Sequence, residues 1–404
     1  MKILYIASGI NLTFVVNELE AHEHAGWEVL PLVSCKPELV EKFSKVMAKW
    51  SKRAVYRPNF LFQILALFKE LLIHPVLFWK CFYWLMLMFF RCPGEFFKAV
   101  YELTAACYFA GFARKFEAQH IHVHFASRSL SLGIMLSILT KLPVSCTVHA
   151  FDLFTRSSAG LKYRLIKCKF IAAISNFNID YLRENCGQEI AELCHVIHCG
   201  IDVNRFCCVE RVPQPGRILF VAKLSPKKGL EVAIEACEKL KEQGFDFLFE
   251  IVGNSHEKWP WYQKHLEELI GRYRLEDKVK LLGAIPNDQL MPLFSKASIF
   301  LMPCIKTKGN DMDGIPVAMM EATACRVPVV STSISGIPEL VKNGVNGWLV
   351  REKDFEQLAE VLQKAIVDID KIKQFGEAGR QLILEEFCIE KNAAQLRHLI
   401  NAKI

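Results

Sequence analysis

The sequence predicts an α/β protein of two doubly wound, Rossmann-like domains facing across a cleft. Three observations predict it. Short, near-continuous apolar runs alternate with amphipathic stretches of helical period along the chain, as buried parallel strands and their crossover helices do. The runs fall into two series, separated by an aperiodic stretch ending in two prolines. The 404 residues, 52% hydrophobic and 23% charged, allow two cores of about 150–200 residues each.

The first series of strands is expected at 2–7 (KILYIA), 27–33, 120–125 (HIHVHF), 144–148 (VSCTV), 170–174 and 194–198. The second is expected at 217–221 (RILFV), 246–252, 278–282, 298–302, 327–330 and 346–350. The stretch GIDVNRFCCVERVPQP (200–215) has no periodicity. The domains are therefore predicted over 1–200 and 216–375, with a linker at 201–215. Residues 376–404 read as helices with no strand to follow, crossing back to the N-terminal domain.

Fifteen cysteines are scattered without a Cys-x-x-Cys spacing. They are expected to be reduced thiols and not a disulfide framework. MKILYIAS is charged only at Lys2 and enters a strand at once, so no signal peptide is expected and the protein is assigned to the cytoplasm. Residues 58–91 are apolar and aromatic. Charges and proline interrupt them, well short of the ~20 residues that a spanning helix needs. Residues 45–98 hold nine basic and two acidic residues, a difference of +7 that equals the formal net charge of the chain. Basic residues interleaved with Phe60, Phe62, Phe68, Phe78, Trp79, Phe82, Tyr83 and Trp84 suit a helix lying on an anionic membrane. The competing reading is a set of core helices with solvated lysines. Nothing points to nucleic acid.

Ligands of open α/β sheets sit at the carboxyl ends of strands, so the turns there carry the candidate chemistry. SGINLTF (8–14) follows the first strand, and Gly9 would let the backbone approach a ligand; a plain strand-to-helix turn reads the same way. HAFD places His149 and Asp152 after the strand at 144–148, where an imidazole can bond a polar ligand or merely cap backbone. His122 and His124 share a strand face, and two ligands could bind metal, but no third His or Cys is expected nearby. Packing, or a hydrogen bond from His124, is expected there, and not a metal. FVAKLSPKKGLEVAIEA (220–236) puts Lys223, Lys227 and Lys228 before a glycine and a helix, which suits a diphosphate. In GNDMDGIPVAMME (309–321), Asp311 and Asp313 could clamp a metal. Pro316 is expected at the first helical position, leaving the N–H groups of Ile315 and Val317 for phosphate, while Asp313 and Glu321 could grip different hydroxyls of one ligand.

FVAKLSPKKGLEVAIEA and DGIPVAMMEATACRVPVVSTSISGIPELVKNGVNGWLV resemble the donor half of retaining glycosyltransferases of family 4 (group 1), which have the GT-B fold. SGINLTFVVNELEAHEHAGWEV, HIHVHFA, VHAFDLF, ISNFNIDYL and VIHCGIDVNRF resemble the other half of bacterial polysaccharide-synthesis members. The resemblance implies that Asp313 contacts the transferred sugar and Glu321 the ribose. It implies that Lys223 and Lys228 neutralise the diphosphate, that His149 faces the sugar, and that Ala284–Ile285 lie near the base. No metal or cofactor is implied, the nucleotide sugar being a substrate. Three positions depart from the family pattern: Asp313 stands for Glu, Lys223 for Arg, and Arg326 for Gly at an expected left-handed position.

The expected function is transfer of a sugar, with retention, from a nucleotide diphosphate (UDP before GDP) to a lipid-linked or glycan acceptor at the inner face of the membrane. The rivals are a nucleotide-sugar 2-epimerase of the same architecture and a non-catalytic sugar-nucleotide-binding protein.

Overall fold

The computed structural model describes residues 1–10, 12–36, 44–155, 157–207, 211–286 and 289–403. Asn11 of the first turn and residues 208–210 of the predicted linker lie outside the described residues. The chain divides into two compact units, Met1–Gly200 with Ile389–Ile404, and Ile201–Cys388.

The first unit runs β1 (Lys2–Ala7), α1 (Thr13–His24), β2 (Glu28–Val33), α2 (Lys45–Arg53), β3 (Val55–Tyr56), α3 (Phe60–Ile73), α4 (Pro75–Arg91), α5 (Pro93–Phe116), β4 (His120–His124), α6 (Arg128–Thr140), β5 (Val144–Val148), α7 (Phe151–Phe154), α8 (Ser158–Leu165), β6 (Ile171–Ala173), α9 (Asn176–Cys186), α10 (Gln188–Ala191) and β7 (Cys194–Val196). The second runs β8 (Arg217–Val221), α11 (Leu230–Glu242), β9 (Leu248–Val252), α12 (Tyr262–Arg272), β10 (Val279–Gly283), α13 (Met291–Lys296), β11 (Ile299–Met302), α14 (Val317–Ala324), β12 (Val329–Thr332), α15 (Ile337–Leu340), β13 (Gly347–Val350), α16 (Phe355–Val367) and α17 (Ile369–Glu386). The last helix, α18 (Ile389–Lys403), belongs to the first unit.

Both sheets are parallel. Their orders are β3-β2-β1-β4-β5-β6-β7 and β10-β9-β8-β11-β12-β13. Counted within its own unit, the second has the 3-2-1-4-5-6 order of dinucleotide-binding folds and the first has that order with a seventh strand, β7, added at its edge; the switch points lie beside the first strands, at β1/β4 and β8/β11. All twelve expected strands form. The added edge strand β3 is two residues long, too short for any period to announce it.

Two predicted boundaries are corrected. Residues 201–207 are no linker: Ile201, Val203 and Phe206 are buried in the second unit. Arg380 of α17 holds them by donating to the carbonyls of Val203 and Phe206 at 3.0 and 3.2 Å. Residues 376–386 do not cross back. They continue α17, where a Cβ at Gly376 would come within 2.2 Å of the Arg326 carbonyl. Only α18 returns, packing on α1.

The stretch after β3 becomes three helices. Proline disfavours the helical conformation in the residue before it, and His74 and Cys92 leave helical space before Pro75 and Pro93. The axis turns by 116° between α3 and α4, and no described helix is long and apolar enough to cross a membrane. One face of α4 enters the core through Phe78, Cys81, Trp84, Leu85 and Met88. The rest is open: of the 24 large apolar side chains exposed among the described residues, 16 lie between Phe60 and Tyr101. Phe78 and Trp84 are thus core, whereas the other six aromatics expected at a surface are exposed.

The basic residues there are also sorted by the fold. Lys49 and Arg53 of α2 pair with Glu23 of α1, and Lys49 with Glu20 at 2.7 Å. Arg57 pairs with Glu102 at 3.0 Å, both nearly buried. These three cations are therefore structural and do not belong to an open basic face, while Lys52, Lys69, Lys80 and Arg91 are exposed.

Candidate functional site

In the second unit, the turn after β8 is a 3₁₀ turn, Pro226–Lys228. Gly229 ends it with φ +70°, and a Cβ there would lie 1.9 Å from the Pro303 carbonyl oxygen, so only glycine fits. The Ile305 N–H donates to the Lys227 carbonyl at 2.9 Å, which ties this turn to the loop after β11. The two lysines thereby meet the two aspartates. Lys228 Nζ lies 2.8 Å from Asp313, and Lys227 Nζ lies 3.2 Å from Asp311 and 3.3 Å from Asp313. Burial pushes the Asp313 carboxyl up, but Lys228 and Lys227 outweigh it and hold the group below the usual range. Burial pulls Lys227 down, and Asp313 and Asp311 more than reverse that.

Pro316 is the N-cap of α14, one position earlier than expected, with ψ 129°. Helix geometry still leaves the N–H groups of Val317 and Ala318 without an acceptor inside the helix; those of Met319 and Met320 reach the Pro316 carbonyl. Glu321, in the second turn, is 6% exposed. Burial raises its carboxyl to about 7 against the smaller opposing field of Arg205.

The structure brings Lys228 and Asp313 together and does not bring Lys223 to them. Lys223 is 67% exposed, with its nearest carboxylate, Glu257, at 3.7 Å. Ala284 and Ile285 follow β10 at the sheet edge, where the N–H of Gly253 donates to the Gly283 carbonyl. Arg326 has φ +61°, the left-handed conformation expected of it. Lys227 is a second counterion of the aspartates, a role that the sequence reading does not give it. Its position directly before Lys228 is the one signal available for it.

In the first unit, Gly9 follows β1 and is partly exposed. His149 follows β5 and is buried between Phe14 and Phe125, with ring centroids at 4.8 and 4.5 Å. Asp152 is a structural cap: it accepts from the backbone N–H of His149 at 3.0 Å and of Ala126 at 2.7 Å. The His149 side chain turns to His124, with Nε2 3.1 Å from His124 Nδ1. The expectation that no third His or Cys lies near His122 and His124 is corrected by His149, and a carboxylate joins them as well. Glu18 of α1, distant along the chain, comes within 4.0 Å of His122 Nε2 and 3.5 Å of His124 Nε2.

Among the described residues, Glu18, His122 and His124 are the group close enough for one metal ion. Two of the three are otherwise engaged, and only His124 Nε2 makes no hydrogen bond. His122 bonds Ser145 and Thr147 through its two nitrogens, each at 2.8 Å, and Tyr5 donates to the Glu18 oxygen that a metal would need. The arrangement is that of a hydrogen-bond network. In the second unit, the Lys227 ammonium occupies the position that a cation shared by Asp311 and Asp313 would take.

Known proteins share this architecture and parts of this sequence. The family described as "Glycosyl transferases group 1" matches residues 210–382, and "Glycosyltransferase Family 4" matches residues 89–205. WcaL of Salmonella typhimurium, named for colanic acid biosynthesis, is 40% identical over 204 residues, 50% of this chain and 49% of that protein. The amylovoran biosynthesis glycosyltransferase AmsK of Erwinia amylovora is 44% identical over 174 residues, 43% of this chain and 42% of its own. The matched segments thus span about half the length of these relatives or less. Among solved structures, Anabaena HepE in complex with UDP superposes with a TM-score of 0.75 at 18% identity, covering 100% of both chains. At that identity the likeness shows the fold.

Proposed function

The chain belongs to the glycosyltransferases of group 1, and from that premise we propose that it transfers a sugar from a nucleotide diphosphate to a glycan or lipid-linked acceptor in exopolysaccharide synthesis. The observation that carries the proposal is the convergence of Lys227, Lys228, Asp313 and the start of α14 at the switch point of the second sheet. Cations and free helical N–H groups suit a diphosphate. The relatives named for colanic acid and amylovoran support the glycan.

The donor is a UDP-sugar, in keeping with the UDP bound by Anabaena HepE. Lys228 and Lys227 receive the diphosphate, exchanging Asp313 for phosphate oxygens. Asp313, released, meets the sugar; Glu321 accepts from the ribose hydroxyls; His149 bonds the sugar. Transfer retains configuration: the acceptor attacks from the face that the diphosphate leaves, and the departing phosphate takes the acceptor proton. The chain's task is then positioning and charge stabilisation. No metal is needed, because ammonium groups supply the positive charge.

The exposed apolar helices α3 and α4 lie on anionic membrane, with Lys69, Lys80 and Arg91 at lipid phosphates. This places the enzyme where lipid-linked acceptors are found.

The test is a thermal-shift panel of nucleotide sugars followed by a transfer assay. A ligand at a hundredfold over its dissociation constant should add about 2.7 kcal/mol of stability. A chain that no nucleotide sugar stabilises would overturn the reading. One that binds without turning the donor over would favour a binding protein.

A further inference from the structure

A chain of buried polar groups runs from His149 into the first unit, and its role depends on the reading that His149 meets the sugar. We propose that Glu18 and His124 are positioning residues: together they fix His149 as the tautomer protonated on Nε2, leaving Nδ1 as a hydrogen-bond acceptor.

The chain of contacts starts at the Glu18 carboxylate. Tyr5 from β1 donates to Glu18, and His22, on the same helix, lies 3.8 Å from it. His122 and His124 approach from β4 at 4.0 and 3.5 Å. Arg397 from α18 stands behind His22, 3.4 Å from its Nδ1. Burial favours the neutral acid, but His124, His22 and His122 together hold Glu18 well below the usual carboxylate range, so it carries its charge. Burial pushes His22, His122 and His149 the other way, toward neutral rings.

A neutral imidazole has one N–H and must choose where to put it. His124 Nε2 is buried, makes no hydrogen bond, and has the Glu18 oxygen at 3.5 Å. A lone pair there would face a negative charge away from water; an N–H there faces it favourably. In this assignment His124 carries its one proton on Nε2 and accepts at Nδ1, and a His124 protonated on both nitrogens in the spectrum below would overturn it. His149 Nε2, 3.1 Å from that Nδ1, must then donate. This leaves the lone pair of His149 on Nδ1, which lies 3.9 Å from Cys199 Sγ. Burial keeps the Cys199 thiol protonated, so it can donate to that lone pair. Each contact points its proton the same way, from Cys199 through His149 and His124 to Glu18. The S–H is a weak donor that a sugar hydroxyl can displace, and the consequence is that His149 offers such a hydroxyl an acceptor, not a proton.

The experiment is a long-range ¹⁵N–¹H spectrum of the full chain, labelled at histidine, at about pH 8 and without ligand. The expected wild-type pattern for His149 is protonated Nε2 with bare Nδ1. Glu18→Gln should shift His149 toward the other tautomer and lower kcat about tenfold with KM little changed; Glu18→Asp, which keeps the charge, should restore the wild-type pattern. Tyr5→Phe removes the hydroxyl that contacts Glu18 and His22 while keeping the ring against His124, and should lower the melting temperature while leaving the tautomer alone. The proposal is overturned by a wild-type His149 protonated on Nδ1, or by a tautomer unmoved in Glu18→Gln. It is also overturned by a spectrum that changes on adding EDTA, which would make Glu18, His122 and His124 a metal site. Should the Glu18 variants not fold, the wild-type spectrum still decides. The tautomer is read without donor, so a wild type lacking transfer activity would count against the proposed function and not against this inference.

Discussion

Lys228 and Asp313 form a 2.8 Å ion pair at the carboxyl end of the second sheet, and Lys227 joins it by bridging Asp313 to Asp311. A diphosphate binding here must draw Lys228 away from Asp313. Neutralising the aspartate removes that competition. Asp313→Asn is expected to bind a nucleoside diphosphate as tightly as the wild type or more so, while turnover falls. Lys228→Ala should weaken the same ligand by a charge-assisted contact, ~1.5–3 kcal/mol. Calorimetry on the two variants checks both signs, and equal weakening in both would dissolve the assignment.

Activity is expected to survive EDTA. The ammonium of Lys227 stands between the two aspartates that would otherwise suggest a metal. Loss of transfer on chelation, with recovery on adding Mn²⁺ or Mg²⁺, would mean that the ammonium gives way to an ion when the donor binds.

Glu321 ties donor binding to pH. Its folded value, about 7, lies above the ordinary 4.5. Between these values the unfolded chain binds fewer protons than the folded one, so stability falls as pH rises through that window, by up to about 3 kcal/mol. Glu321→Gln should therefore melt higher than the wild type above pH ~7. Ribose hydroxyls donate to the ionised carboxylate, so a nucleotide sugar should bind the wild type more tightly as pH rises through 7. That dependence should vanish in Glu321→Gln. Identical pH profiles for the two proteins would remove Glu321 from the ribose.

Membrane docking is expected to depend on the exposed residues of α3 and α4. Trp79→Ala with Phe90→Ala, or Lys69→Gln with Lys80→Gln, should reduce co-sedimentation with anionic liposomes. Salt should weaken binding of the wild type. Lys49→Gln should destabilise the fold through its lost pairs with Glu20 and Glu23 and have little effect on lipid. A wild type left in the supernatant at low salt would make α3 and α4 ordinary surface.

Arg326→Gly should raise stability. A side chain at φ +61° costs about 1–2 kcal/mol relative to glycine, before the entropy that glycine loses. The bond to Glu377, 2.7 Å but to a carboxylate that is itself exposed, returns little. A lower melting temperature for the variant would show that this pair outweighs the strain.

The sequence by itself determined the two sheets, because buried parallel strands must be apolar on both faces and advertise themselves as runs such as KILYIA and RILFV. It also determined the turn at Lys228-Gly229 and the 313–321 segment, since glycine and proline mark positions where the backbone has few alternatives. Three things only the tertiary structure decided. Lys227, Lys228, Asp311 and Asp313 meet because strand order puts β8 beside β11, and no local pattern encodes which strands are neighbours. Glu18 meets His124 and, through it, His149 for the same reason at β1 and β4. The charges of Lys49, Arg53 and Arg57 were legible as an excess, but whether each faces lipid or a glutamate depends on what folds against it. Here α1 and α5 supply Glu23 and Glu102, and the long-range contacts that place those residues appear only when the chain closes on itself.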